Sequence, residues 1–514
     1  MSVAYDVESY YLDIRNQADK LYPAGSTDPR KIEERERLSR LLELSKLFCR
    51  NNPEYLKLSL CIRDFVNSWD SDPLFKKDQI RQRHSFAIVN RSAITDLYDL
   101  SKIAGIVALL FDYESDPDDR IIVIVINANL SICQNLCGIL HEVGHYVGCR
   151  QRSKNNQIDR VQYFIELSLQ TFLREVFFYA CSRLLEQQIR DYSVLNNPSY
   201  SCEKQRIMLS FITCLSDNDL YDWLYRQLAN RVTKIRSEYA GEPLYRYAYS
   251  KAIICAIDKA FYSIFSESGG ELRSRLAAVA RTYQFHSNTT ELLTAALDHV
   301  SHNGIVAYIE YVGRLLEEVA ADVFMVRVLN MRSHYLEDML SSFNNQYADS
   351  KDDNICALLE NTIERTRLIC LQAACMCRWP VSACLRRASA RKDKWCVLRR
   401  SKEKTCQVKR RIISISEKLN ETMSFTPRVY YVSFGGAQRV YWLRNDWATD
   451  SVQTPHDDKN RVNHANRLRI LNPSVTLGEY VRAIMNDSRY DQFFQKKENA
   501  AMVRRLRAFR LWRR

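Results

Sequence analysis

His141-Glu142-Val143-Gly144-His145 carries the sharpest chemical signal in this chain: two imidazoles four residues apart with a carboxylate directly after the first. On a helix, positions i and i+4 share one face, so both rings can reach a single metal ion. Glu142 is rotated about 100° from His141, so it can face water in an open coordination position without being a ligand itself. Neutral imidazole nitrogens suit Zn²⁺ in a tetrahedral site with one position left open, and a nearby carboxylate then serves as general base. With only nine His in 514 residues, this spacing is not readily produced by composition.

Such a site needs a third ligand. The pattern that continues as H-E-x-x-H-x-x-G-x-x-H has its Gly here at Gly148, but Gln151 stands where the third His is required. A Glu from a second helix is the other common solution. Glu318-Val319-Ala320-Ala321-Asp322 lies in a strongly helical stretch, 312–329, with Glu318 and Asp322 at i and i+4. Glu318 can complete a His₂Glu set, and Asp322 can accept the second ring N–H of a ligand His and fix its tautomer. Ala320 and Ala321 are small enough for two helices to approach closely. Glu175 is the rival third ligand, in an aromatic setting (Phe172, Phe177, Phe178) that reads as core packing.

At these residues the sequence resembles the gluzincin zinc metallopeptidases. Residues 122–148 (IVIVINANLSICQNLCGILHEVGHYVG) are most similar to the core of the ImmA/IrrE-like family: a strand ending in Ile-Asn, a short polar link, then the H-E-x-G-H helix. The resemblance covers residues 80–150 and 305–345. It implies a zincin-like core, with a small sheet over two metal-bearing helices, zinc as cofactor, and hydrolysis of a protein or peptide substrate. It also admits an alternative: a regulatory or nucleic-acid-binding protein that uses such a core as sensor or scaffold. Glu318 lies 173 residues beyond His145, which implies a large helical insertion between the two halves of the site.

The elements that must position these groups are legible as pattern. Residues 85–89 (SFAIV), 107–113 (VALLFDY) and 121–126 (IIVIVI) are short β-type runs, the last continuous enough to be buried on both faces; 115–119 (SDPDD) reads as a turn. Ser131 with Gln134 fits a capping box that opens a helix at Ile132 running to about Gly148. Residues 31–50 place Leu38, Leu41, Leu42, Leu44 and Leu47 on one stripe. Breaks are expected near Asn196-Asn197-Pro198, Gly241-Glu242-Pro243 and Gly269-Gly270. The expected class is α+β, predominantly helical: a helical region at 1–79, a zincin-like domain at 80–345 with an insertion at about 152–304, and a basic region at 346–514 with a hairpin near 427–443. Gly (13) and Pro (11) are scarce, which favours long helices over an all-β fold.

Lys and Arg number 74 against 61 Asp and Glu, a net charge of +13. Residues 361–411 hold much of the excess, with 15 basic and 3 acidic side chains, and a second group closes the chain at Arg504, Arg505, Arg507, Arg510, Arg513 and Arg514. Basic segments of this kind suit nucleic acid or another polyanion. Sixteen scattered Cys, no run long enough to cross a membrane and no leader pattern at the N-terminus together point to a cytoplasmic protein. Cys370, Cys375, Cys377 and Cys384 lack the C-x₂-C spacing of structural zinc sites, His299 and His302 read as a solvated helix end, and His334 with Tyr335 are candidate oxyanion donors. No P-loop, dinucleotide fingerprint or serine-nucleophile elbow is present. If 361–411 grips a polyanion, its affinity for single- or double-stranded nucleic acid falls steeply between low and high salt, because each neutralised phosphate releases counterion. Salt-independent affinity, or none at low salt, marks the segment as a solvated face.

Overall fold

A computed structural model describes residues 6–74, 83–98, 107–113, 116–148, 160–189, 211–238, 246–266, 269–285, 287–302, 305–330, 429–434, 437–442, 466, 469–470, 474–485 and 487–509. The architecture is α+β and predominantly helical. Three helices, α1 (Val7–Leu21), α2 (Pro29–Asn51) and α3 (Pro53–Ser71), lead into a three-stranded sheet of β1 (Arg83–Asn90), β2 (Val107–Tyr113) and β3 (Asp116–Ile126). The spatial order is β1-β3-β2, with β1 parallel and β2 antiparallel to β3. The central place of β3 explains its composition. Ile121, Val123 and Ile124 are 0% exposed, and an unbroken apolar run is what a strand covered on both faces requires.

The expected turn at 115–119 is narrower than its composition implied. Asp116 already pairs with Tyr113 and Asp119 with Arg83, so Asp116–Asp119 belong to β3. The register shifts at Asp112/Tyr113, and Pro117, which has no N–H to give, falls in that irregular stretch.

As an edge strand, β1 leaves one side of its backbone without a ladder partner. Residues 84, 86 and 88 share that side by the two-residue alternation of a strand. The Tyr10 hydroxyl donates to Phe86 O (2.6 Å) and the Ser45 hydroxyl to Ile88 O (2.6 Å). The Asn67 side chain accepts from His84 N–H (3.0 Å) and donates to its carbonyl (3.4 Å). The first three helices therefore close this edge. They also correct the stripe expected on α2. Its buried line is Leu38, Leu41, Leu42, Ser45 and Cys49, whereas Leu47 is 56% exposed. A serine belongs on the buried line because a strand carbonyl needs its proton.

After β3 comes α4 (Ile132–Gly148), at the limits expected, with Asn135 N–H bonded to Ser131 O (3.0 Å) as its first turn. Then follow α5 (Arg160–Ile189), α6 (Asn218–Glu238), α7 (Arg246–Ser266), α8 (Gly269–Thr282), α9 (Ser287–His302) and α10 (Ile305–Leu329). The expected break at Gly269-Gly270 coincides with the start of α8. Those near Asn196-Asn197-Pro198 and Gly241-Glu242-Pro243 lie outside the described residues. Helix α10 stops at Asn330, whose φ of 52° is the left-handed conformation asparagine tolerates at a helix end. Strands β4 (Val429–Phe434) and β5 (Ala437–Trp442) form an antiparallel pair with Phe434 opposite Ala437. Helices α11 (Ser474–Met485), α12 (Ser488–Gln495) and α13 (Lys497–Ala508) return to the main core, where Trp69 of α3 packs against Phe324 of α10 and Tyr490 and Phe493 of α12. Among the described residues, no helix is long and apolar enough to cross a membrane.

Candidate metal centre

The motif helix is held at its start before it is held at its ligands. The Asn135 amide, fully buried, donates to Tyr55 Oη (2.8 Å), Asn127 O (3.0 Å) and Leu130 O (3.3 Å), tying the strand-to-helix link to α3. Ile132, Leu136, Ile139, Leu140 and Val143 then bury the apolar side of α4.

Helix α10 crosses α4 at a point with no room for a side chain. A Cβ on Gly144 would stand 2.9 Å from both Cα and O of Ala321 and 3.1 Å from the Phe324 ring. The small residues of the two motifs thus meet each other, and the ligands flank the crossing. His141 and His145 present their rings at 84°, with Nε2 atoms 3.0 Å apart. Glu318 sets Oε2 at 3.2 Å from His141 Nε2 and Oε1 at 3.3 Å from His145 Nε2. Asp322, one turn on, places Oδ1 2.7 Å from His141 Nδ1. The imidazoles are 10% and 11% exposed and the Glu318 side chain 27%, so the group is sheltered but reachable.

The tautomer of His141 follows from Asp322. A carboxylate can only accept, so Nδ1 carries a ring proton, and in the neutral ring, the form that binds a metal, Nε2 then turns its lone pair toward the Glu318 oxygen. Two acceptors 3.2 Å apart repel unless something positive lies between them. A single proton on His145 answers one of the three close pairs; a cation in the middle answers all three. The spacing admits such an ion: the two Nε2 atoms lie 3.0 Å apart, Glu318 meets one with Oε2 (3.2 Å) and the other with Oε1 (3.3 Å), and one ligand atom from each of the three residues lies within 4.8 Å of the others. His141, His145 and Glu318 are a group able to hold a metal ion, and it arises between elements 173 residues apart.

Glu142 is partly buried on α4 and is not a member of that group. Glu175 is 2% exposed within α5 and belongs to no metal-capable group among the described residues. His299 lies exposed on α9 with its ring stacked on Tyr179 at 3.8 Å, a packing partner the sequence reading did not foresee. The side chains of Tyr146 and His302, and all of His334, Tyr335, the Cys370–Cys375–Cys377–Cys384 cluster and 361–411, lie outside the described residues. What sequence reasoning missed is the far end of α10. Arg327 is 1% exposed there and is served by the C-terminal helices; a lone charge inside VFMVRVL was the signal that a partner had to exist.

No protein-family model, curated protein or solved structure matches this chain, so its residues alone carry the reading of the site.

Gly144→Ala tests the crossing. In an open helix, Gly to Ala stabilises by about 0.5–1 kcal/mol. Here the added methyl meets backbone, and the expected outcome is destabilisation of about 1–3 kcal/mol, with metal affinity weakened at least tenfold. Denaturant unfolding and chelator competition measure the two, and a more stable variant with unchanged affinity contradicts the crossing.

Proposed function

We propose that this protein is a zinc-dependent metallopeptidase of gluzincin type, with a zincin-like core in which His141, His145 and Glu318 hold the ion, acting on a protein or peptide substrate in the cytoplasm. The observation that supports it most is the convergence of His141, His145 and Glu318, with one ligand atom from each within 4.8 Å of the others, together with the Asp322 contact on His141 Nδ1. When bound, zinc supplies Lewis acidity, which makes water acidic near neutral pH and polarises a carbonyl oxygen.

The chain's own residues do the rest. The Glu318 carboxylate and the His141 and His145 imidazoles would hold the ion with three ligands, which would leave it open to substrate or water. Asp322 keeps the proton of His141 on Nδ1, so that Nε2 stays available. The Glu142 carboxylate accepts the proton of the attacking water and returns it to the leaving amine nitrogen, breaking the C–N bond. An extended substrate pairs its backbone with a sheet edge. The outer side of β1 is already bonded to Tyr10, Ser45 and Asn67, so among the described strands of this sheet the pairing falls to β2, the other outer strand, which packs on the motif helix.

Glu142→Gln separates binding from chemistry. The variant is expected to retain zinc, because Glu142 is not a ligand, and to lose peptide hydrolysis by about 10²-fold or more. Cleavage of a mixture of unstructured peptides, followed by mass spectrometry, reads the second. Undiminished cleavage by a pure Glu142→Gln preparation overturns the proposed mechanism.

A further inference from the structure

The C-terminal ends of α10 and α11 are capped by arginines in exchange. The last carbonyls of a helix lack internal partners and carry its negative dipole end, which a buried cation satisfies. Arg327, near the end of α10, donates Nη1 to Ile484 O (2.6 Å) and Asp487 O (3.0 Å) at the end of α11, and Nη2 to Asp491 Oδ1 (3.1 Å). Its guanidinium lies 4.1 Å from the Tyr490 ring centre. In return, Arg507 of α13 donates Nε to Val328 O (2.7 Å) at the end of α10. Tyr480 of α11 reaches the same helix at Leu316 O (3.4 Å), and the Lys496 ammonium, just before α13, pairs with the buried Asp72 carboxylate (2.6 Å) beyond the end of α3. The C-terminal helices are thus fastened to α10 on one side and to α3 on the other.

Gly144 and Ala321 make the crossing of α4 and α10 a fulcrum, since their backbones touch with nothing between. At about 1.5 Å rise per residue, Glu318 stands roughly 4.5 Å on one side of Ala321 and Arg327 roughly 9 Å on the other. A drift of about 1 Å at the Arg327 end therefore swings Glu318 by about 0.5 Å the opposite way. Metal-ligand distances tolerate only about 0.2 Å. An anchor at the long arm consequently governs the ligand on the short arm.

We propose that Arg327 is a positioning residue of the metal centre, acting through α10 on Glu318, and that the C-terminal helices of residues 474–508 are the anchor that it engages. This rests on the metal reading. It assigns to the last helices, which supply no ligand, a share in retaining the ion.

The test is a cycle of zinc affinities by chelator competition, with Co²⁺ absorption as a reporter of the ligand set. The proteins are the full chain, Arg327→Met, Glu318→Ala and the double variant. Arg327→Met is expected to weaken zinc about tenfold or more and to change the Co²⁺ spectrum. In the Glu318→Ala background it is expected to cost nothing further, because the ligand it positions is gone. Arg327→Lys, which keeps the charge without the fork, recovers part of the loss. Asp491→Asn alters only the 59% exposed partner, so the fold survives it, and it shifts affinity the same way by roughly threefold. Equal affinity in Arg327→Met and the unaltered protein, or the same loss with and without Glu318, overturns the role of Arg327 while leaving the metal centre standing. Absence of zinc binding by the unaltered chain overturns the metal centre and this proposal together.

Discussion

The arrangement depends on one contact: the backbone of Gly144 laid against the backbone of Ala321. Any side chain at 144 would hold α4 and α10 apart. With it absent, Glu318 and Asp322 on one helix face His141 and His145 on the other at 2.7–3.3 Å. Such a crossing is costly to maintain without support. It places two imidazoles and two carboxylates in a sheltered volume, where unmatched acceptors repel. The scaffold must hold them until an ion or protons compensate.

That support comes from three directions. From the sheet side, β3 feeds α4 through the link that the buried Asn135 amide fixes. Helices α1 to α3 close the outer edge of β1 and meet α10 through Trp69 and Phe324. Along α10 itself, every residue from Val319 to Leu329 is buried, the mark of a helix enclosed on all sides rather than lying on a surface. Its far end is satisfied by the exchange of Arg327 and Arg507 with the C-terminal helices.

The parts legible in the sequence are those whose physics is local. Ser131 and the apolar periodicity after it locate α4, and six consecutive Ile and Val residues mark a strand covered on both faces. The i, i+4 spacings of His141 with His145 and of Glu318 with Asp322 single out four side chains that the structure brings together. The illegible parts are those decided by distant partners. Ser45 lies on the buried line of α2 because Ile88 O of β1 needs a donor there, and Cys49 accepts from the Tyr11 hydroxyl (3.4 Å), which no periodicity reports. Asp116–Asp119 join a strand despite turn-like composition, because Arg83 and Tyr113 pair with them. The return of residues 474–508 to α10 has no local signature beyond the lone charge of Arg327 in an apolar run. Arg507, by composition one of a basic cluster suited to polyanions, is engaged with Val328 O.

Metal content shows whether α4 and α10 together hold an ion. The protein is loaded with zinc, passed over a chelating resin and analysed for bound metal, beside Glu318→Ala and Glu175→Gln. The expected result is one zinc per chain for the unaltered protein and for Glu175→Gln, and little for Glu318→Ala, since two imidazoles alone hold the ion poorly. A protein that keeps no zinc, or a Glu318→Ala variant that keeps as much as the unaltered chain, contradicts the two-helix site.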